Sequence, residues 1–237
     1  MTEFAVAMGI LLVTILIGIP ISYSMGITGL TYILITNPAY IVVIPNRLYE
    51  GINQFQLLSI PFFLLAADIM VNADISGKLF RLVKLFVGRF RGGLAYVNVI
   101  VSMIFGSVSG TALGDIAALG KVEMDAMNEE GYDPDFSCAL TAASSLQSPM
   151  IPPSNIAVLY ASVMGLSVGA LFLAGFIPGV MLGVSQCLYI FTVRNKKNFP
   201  PSRGKYTAKE VASIIIHGII TLGMPLIIIG GVLSGWF

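Results

Sequence analysis

The chain has 237 residues, 56% hydrophobic and only 11% charged, with a formal net charge of +1. Soluble domains carry roughly 25% charged residues, and a mean hydropathy of +0.89 means more apolar surface than one water-soluble core of this length can hide. With no basic stripe the chain is not a nucleic-acid binder. Two cysteines without CxxC spacing, Cys138 and Cys187, exclude a disulfide framework or zinc site, and a single histidine, His217, excludes a His-based metal cluster or triad.

The charges are clustered: 20 of the 25 lie in 74–91, 121–135 and 194–210. The apolar blocks between them have the length a bilayer demands, about 20 residues per helix. The composition therefore predicts an all-α, multi-pass membrane protein.

Residues 1–77 read as N-terminal membrane helices. The run 4–24 is expected to span, and it lacks the basic start and cleavage site of a removable signal. A second block, 26–45, is expected to break or bend at Asn37-Pro38. Residues 47–54 are polar, and a third block, 55–73, contains Pro61 and ends near Asp68. In 78–92 the basic residues Lys78, Arg81, Lys84, Arg89 and Arg91 alternate with apolar ones, as in an amphipathic helix at a membrane surface. Asp68 is expected to pair with one of these cations.

Residues 93–120 are apolar but interrupted by FGSVSGTALG. The two halves are too short to span singly, which predicts a re-entrant helical hairpin whose polar tip is buried in protein or lines a cavity. The charged stretch 121–135 is read as a cytoplasmic loop outside the hydrocarbon. Residues 136–165 are interrupted at 144–155 by SSLQSPMIPPSN, whose three prolines forbid continuous helix and predict a discontinuous spanning segment. A long helix over 166–193, a basic loop over 194–210 and a last span over 211–237 complete the chain. Placing both basic loops in the cytoplasm puts the N-terminus outside, and the number of crossings agrees. His217 reads as a helix-end or interfacial residue.

Irregular backbone at membrane depth is costly, because each unsatisfied peptide group costs several kcal/mol. Broken helices nevertheless create what an ion pair needs: free carbonyls at one half-helix end and free N–H groups at the next. In the hairpin the carbonyls ending near Phe105–Ser107 and the hydroxyls of Ser107, Ser109 and Thr111 offer hard oxygen ligands, while amides from Gly110 to Leu113 face an anion. In the broken span Ser144, Ser145 and nearby carbonyls, including that of Pro149, extend the cation shell, and Ser154 and Asn155 open the next half-helix. Such ligands suit sodium rather than a transition metal. Ser107, Ser109, Ser144, Ser145 and Pro149 are thus the candidate sodium ligands, and Gly110, Thr111, Ser154 and Asn155 the candidate substrate contacts. Asp115, just past the tip, is either a supporting ligand or a cap. The competing reading is plain packing, since Gly106, Gly110 and Gly114 are spaced by four, a small-xxx-small pattern.

The run RLVKLFVGRFRGGLAYVNVIVSMIFGSVSGTALGDIAALG, followed by GYDPDFSCALTAASSLQSPMIPPSNIAVLYA, closely resembles the large membrane subunit of TRAP (tripartite ATP-independent periplasmic) transporters, as does IPFFLLAADIM before it. Thr111 stands where the family usually has Ser, Gly114 where it has Ala, and Ser148 where it has Gly. The resemblance implies a sodium-coupled importer of organic acids (dicarboxylates, sialic acids or similar carboxylates) in the bacterial inner membrane. It also implies two partners, a small four-helix membrane subunit and a periplasmic substrate-binding protein. The implied fold is the first inverted repeat of an elevator-type ion transporter, without cofactors other than sodium. Because the chain stops at GGVLSGWF, where the family continues into a second repeat, it resembles an N-terminal half and is expected not to transport alone. An enzyme finds no support, with no paired carboxylates in helical register and no nucleophile–base pair. A non-TRAP ion-coupled anion transporter and a channel-type membrane subunit are the alternatives.

Overall fold

Glycine, proline and asparagine set the ends of most helices in the computed structural model, which describes residues 2–195, 199 and 207–234. All regular structure among them is helical, in two units, Met1–Gln54 and Phe55–Phe237.

In the first unit α1 (Thr2–Leu16) and α2 (Ile21–Thr36) pack against each other. The expected single span over 4–24 is therefore two helices. Gly18 takes φ +91° and Pro20, which has no N–H to donate, precedes α2, so the chain turns there. At 15 and 16 residues the two helices reach only about 23–24 Å, short of a ~30 Å hydrocarbon core. The break expected at Asn37-Pro38 is present: α2 ends at Thr36, and the Asn37 side chain accepts a hydrogen bond from the Ala39 N–H (3.1 Å). A 3₁₀ segment, Pro38–Val43, leads into α3 (Ile44–Ile52), so the polar stretch 47–54 is mostly helical, with an exposed Arg47–Glu50 ion pair.

In the second unit a 3₁₀ turn (Phe55–Leu58) opens α4 (Ser59–Asn72), and Pro61 falls in its first turn, where a missing N–H costs nothing. Helix α5 (Ile75–Val87) is amphipathic, as its alternation predicts. Its apolar residues Leu79, Phe80 and Val83, however, are buried in the protein's own core. Lys84 pairs with Glu130 (2.9 Å), not with Asp68; Asp68 is exposed and forms no ion pair among the described residues.

Helix α6 (Gly93–Ser109) is the centre of this unit. Leu94, Ala95, Val97, Val99, Val101 and Phe105 are all buried, packed on α5, α9 and α11. The chain reverses at Gly110 and Thr111, then runs helically through α7 (Ala112–Asp115), one π turn (Ile116–Gly120) and α8 (Lys121–Glu129). Two helical arms and the turn between them are thus present, but the second arm does not stop at residue 120. The charged stretch assigned to an outside loop is helical to Glu129, and its Glu123 and Met127 are fully buried. The charges on α8 give it one polar and one buried face, which is helix amphipathicity, not loop composition.

Helices α9 (Pro134–Ser145) and α10 (Asn155–Met164) flank a stretch of turns over 146–153. Next come α11 (Val168–Val193), with Pro178 inside it, and α12 (Ala208–Ser234). Among the described residues α11 is the one helix that is by itself long and apolar enough to cross a membrane. Tyr132, Phe136 of α9 and Phe199 form an aromatic cluster with centroids 4.9–6.5 Å apart, and Arg91 Nε donates to the Phe199 carbonyl (3.2 Å).

Candidate functional site

Both helix breaks anticipated from the sequence are present, and they meet. A Cβ on Gly106 would lie 2.6 Å from the Ser148 Cα, and one on Gly110 2.8 Å from the Pro153 carbonyl oxygen and 3.1 Å from the Asn155 nitrogen. Asn155 Nδ2 donates to the Ser109 carbonyl (3.4 Å). Gly110, at φ +60°, needs a residue without Cβ for its backbone angle as well as for this contact. The packing reading of the small-residue stripe and the site reading therefore coincide at Gly106 and Gly110. Gly114 differs, because its neighbours, Thr111 and Ser109, belong to its own turn.

The carbonyl supply differs from expectation. Helix α6 runs to Ser109, and the Gly106 carbonyl takes the Gly110 N–H (3.0 Å), so the open end of the helix lies at Ser107–Ser109 and not at Phe105–Ser107. In the broken span the Ser144 and Ser145 carbonyls accept the N–H groups of Gln147 and Ser148 (both 3.1 Å), and the Gln147 carbonyl accepts those of Met150 and Ile151. The reason is general: buried peptide groups find partners wherever turn geometry permits. Each carbonyl keeps a second lone pair for a ligand.

The hydroxyls fall into three groups. Thr111 and Ser154 are N-caps: Thr111 Oγ1 accepts from the Gly114 N–H (3.0 Å) and Ser154 Oγ from the Ala157 N–H (3.2 Å). Ser107 and Ser145 donate to carbonyls one turn back, Ile104 and Ala142, and Ser109 donates to the Thr111 carbonyl (3.2 Å). A hydroxyl fixed in this way keeps its lone pairs for a cation. Ser144 stands apart, donating to Asn98 Oδ1 (2.7 Å) at some depth along the hairpin. Pro149 is half-buried in the turns between Ser148 and Met150, and Leu113, at the hairpin tip, is 81% exposed.

Asp115 is buried beside Ser102 and Ser148, and its Oδ1 has no hydrogen-bond partner. Ser148 Oγ lies near this carboxylate and is likewise buried without a hydrogen-bond partner.

Three features escaped the sequence reading. The first is a buried polar cluster that joins both hairpin arms to α9. Asn98 Nδ2 donates to Glu123 Oε2 (2.8 Å) and Thr141 Oγ1 (2.7 Å), and Ser102 donates to Ser144 (3.2 Å). A lone Asn inside the apolar run AYVNVIVS was the available signal. The second is a pair of glutamines: Gln147 Nε2 donates to Gln186 Oε1 (2.9 Å), and Gln186 Nε2 to the Ala143 carbonyl (2.8 Å). The third is a glycine stripe on α11. Side chains at Gly175, Gly179 and Gly183 would strike Met150, Ile151 and Gln147, so these positions receive the unwound segment. Their spacing of four is the pattern already noticed at 106–114.

Beyond the hairpin, burial and the nearby Glu130 charge push the Tyr132 phenol well above its ordinary range. Thr207 holds the exposed Glu210 carboxyl below its ordinary value by donating from both its N–H and its hydroxyl (2.8 Å each). A cavity of about 650 Å³ belongs to the first unit, and apart from Arg47 and Tyr40 its lining is essentially apolar. It offers no cation shell.

Residues 8–237 match the family described as Tripartite ATP-independent periplasmic transporter, DctM component. The chain is 35% identical over 220 residues to the sialic acid TRAP transporter large permease protein of Vibrio cholerae, covering 93% of this chain and 51% of that protein. It is 34% identical to the 2,3-diketo-L-gulonate TRAP transporter large permease protein of Escherichia coli, over 97% of this chain and 54% of the relative. With the C4-dicarboxylate TRAP transporter large permease protein of Vibrio cholerae it shares 30% identity, over 94% and 49%. The chain spans about half the length of these relatives. It belongs to the DctM-component family of tripartite ATP-independent periplasmic transporters.

Proposed function

We propose that the chain supplies half of the ion and substrate site in the large permease of a sodium-coupled importer of organic acids. The carrying observation is the contact between the two helix breaks, Gly106 against Ser148 and Gly110 against Pro153 and Asn155. Carbonyl ends of α6 and α9 and capped starts of α7 and α10 are gathered there, an arrangement that favours a cation and a carboxylate side by side. Ser107, Ser109, Ser145 and the Pro149 carbonyl take sodium. Ser144 supports them through Asn98, and Asp115 balances the charge. Gly110, Thr111, Ser154 and Asn155 face the carboxylate.

The names of the relatives support a carboxylate cargo such as sialic acid or a C4-dicarboxylate. In this reading a periplasmic binding protein delivers the cargo, a small four-helix subunit holds the permease, and the site-bearing part moves as an elevator across the bacterial inner membrane. The N-terminus is periplasmic, and the basic segments 78–92 and 194–210 are cytoplasmic.

The test is uptake of labelled sialic acid or C4-dicarboxylate into proteoliposomes that hold the complete permease and small subunit, with binding protein outside. Uptake is expected to need an inward sodium gradient, and Ser107→Ala and Ser145→Ala to raise the sodium concentration required. Equal uptake when potassium replaces sodium would overturn the coupling.

A further inference from the structure

A cavity of about 250 Å³ lies between two helices that neither break uses, lined by Lys78 and Arg81 of α5 and by Ser213, Ile214 and His217 of α12. The two helices touch closely beside it, since a side chain at Gly218 would meet Leu82 at 2.6 Å. Among the described residues no carboxylate lines the cavity. The two ion pairs among the described residues, Arg47–Glu50 and Lys84–Glu130, use other cations. Asp74, four residues before Lys78, and Glu210, three before Ser213 and held by Thr207, both lie outside the lining.

Lys78 Nζ donates to the Ala73 carbonyl (2.9 Å), which fixes the ammonium and leaves it two further donors. Arg81 is exposed, with its whole guanidinium fork available. His217 Nδ1 is turned to the Ser213 carbonyl (2.8 Å), so the ring forms a wall of the cavity. An apolar flank adjoins these donors. Ile214 of α12 is part of the lining, beside the basic pair. A soluble anion has no use for such a flank, whereas a lipid has a place for its acyl chain there.

We propose that this cavity is a headgroup site for an anionic phospholipid, with the phosphate between Lys78 and Arg81 and an acyl chain leaving past Ile214. Basic pockets between membrane helices on the cytoplasmic side recognise acidic headgroups by this chemistry. The site ties α5 and α12 together at the membrane surface. It rests on the chain's membrane placement and is independent of sodium coupling.

Native mass spectrometry of the protein, released from nanodiscs of equimolar phosphatidylglycerol and phosphatidylcholine of matched chains, reads the site directly. The wild type is expected to retain phosphatidylglycerol preferentially. Arg81→Gln, on the surface and safe for folding, should lower that retention about fivefold, and the further change Lys78→Gln about fivefold again, from the typical worth of one basic residue near an anionic surface. Arg81→Lys should keep most of it, and phosphatidylcholine adducts should not change. Equal phosphatidylglycerol retention in wild type and Arg81→Gln would overturn the proposal. Displacement of the lipid by millimolar inorganic phosphate would also overturn it, showing a soluble-anion site instead.

Discussion

Asn98 is the hub of the buried cluster, and truncating it is the most direct test of what holds the hairpin to the broken span. Asn98→Ala deletes three hydrogen bonds at once: two donated, to Glu123 and Thr141, and one accepted, from Ser144 (2.7–2.8 Å). Side-chain bonds between membrane helices average about 0.6 kcal/mol, and buried bonds in general about 1 kcal/mol, so the three sum to about 2–3 kcal/mol. Glu123 adds to this. It is fully buried, its Oε1 is already without a partner, and Asn98 is the donor to its Oε2. Orphaning the second oxygen adds about 1 kcal/mol or more, for a total loss of about 3 kcal/mol or more. Glu123→Gln keeps an acceptor opposite Asn98 and should cost under about 1 kcal/mol. Reversible unfolding in mixed micelles, run as a double-mutant cycle of Asn98→Ala and Glu123→Gln, gives both numbers and their coupling. A loss below about 1 kcal/mol for Asn98→Ala would show that the cluster does not clamp the hairpin.

Other outcomes follow from single contacts. Gly106→Val places its Cβ 2.6 Å from the Ser148 Cα; the backbone must part there, at an overpacking cost of about 1–3 kcal/mol, and uptake by the complete permease should be lost while membrane insertion persists. Ser107→Ala and Ser145→Ala each remove a fixed hydroxyl and should weaken sodium dependence roughly tenfold, the worth of about 1.4 kcal/mol, with little change in unfolding midpoint; unchanged sodium dependence removes them from the shell. The Tyr132 phenol is raised by burial and by Glu130, so the folded state holds this proton more tightly than the unfolded one. Stability from this group is then complete below pH 10, the ordinary phenol value, and declines as pH rises beyond it. A melting series across the alkaline range should show the decline in wild type and a shallower one in Tyr132→Phe.

Much of the site was legible because its residues break local rules. Gly110 at a positive φ, and prolines at 149, 152 and 153 in an apolar run, leave no continuous helix to propose. What the sequence does not carry is the partner across each break. Nothing local shows that Gly106 faces Ser148. The error over 121–135 came from treating charge as exposure. Glu123 lies on the inner face of α8, and its donor, Asn98, is 25 residues away in sequence. The single span expected over 4–24 fails for another reason: Gly18 and Pro20 together make a turn that starts a second helix. Helix α5 shows a third limit. Its amphipathic period was evident, but period alone does not say whether the apolar face meets lipid or protein.

Helix α11 has a mechanical consequence for any motion of the permease. Its three glycines leave a trough in which the uncoiled strand lies flush, and Gln186 fastens that strand at Gln147 and the last turn of α9 at the Ala143 carbonyl. Sliding the strand along the trough would drive Met150 and Ile151 out of the glycine notches and against the half-buried side chains that border them, Phe176 and Leu182. A displacement of the uncoiled strand must therefore bring this long rod with it, and any sliding surface belongs to a face that is not notched in this way.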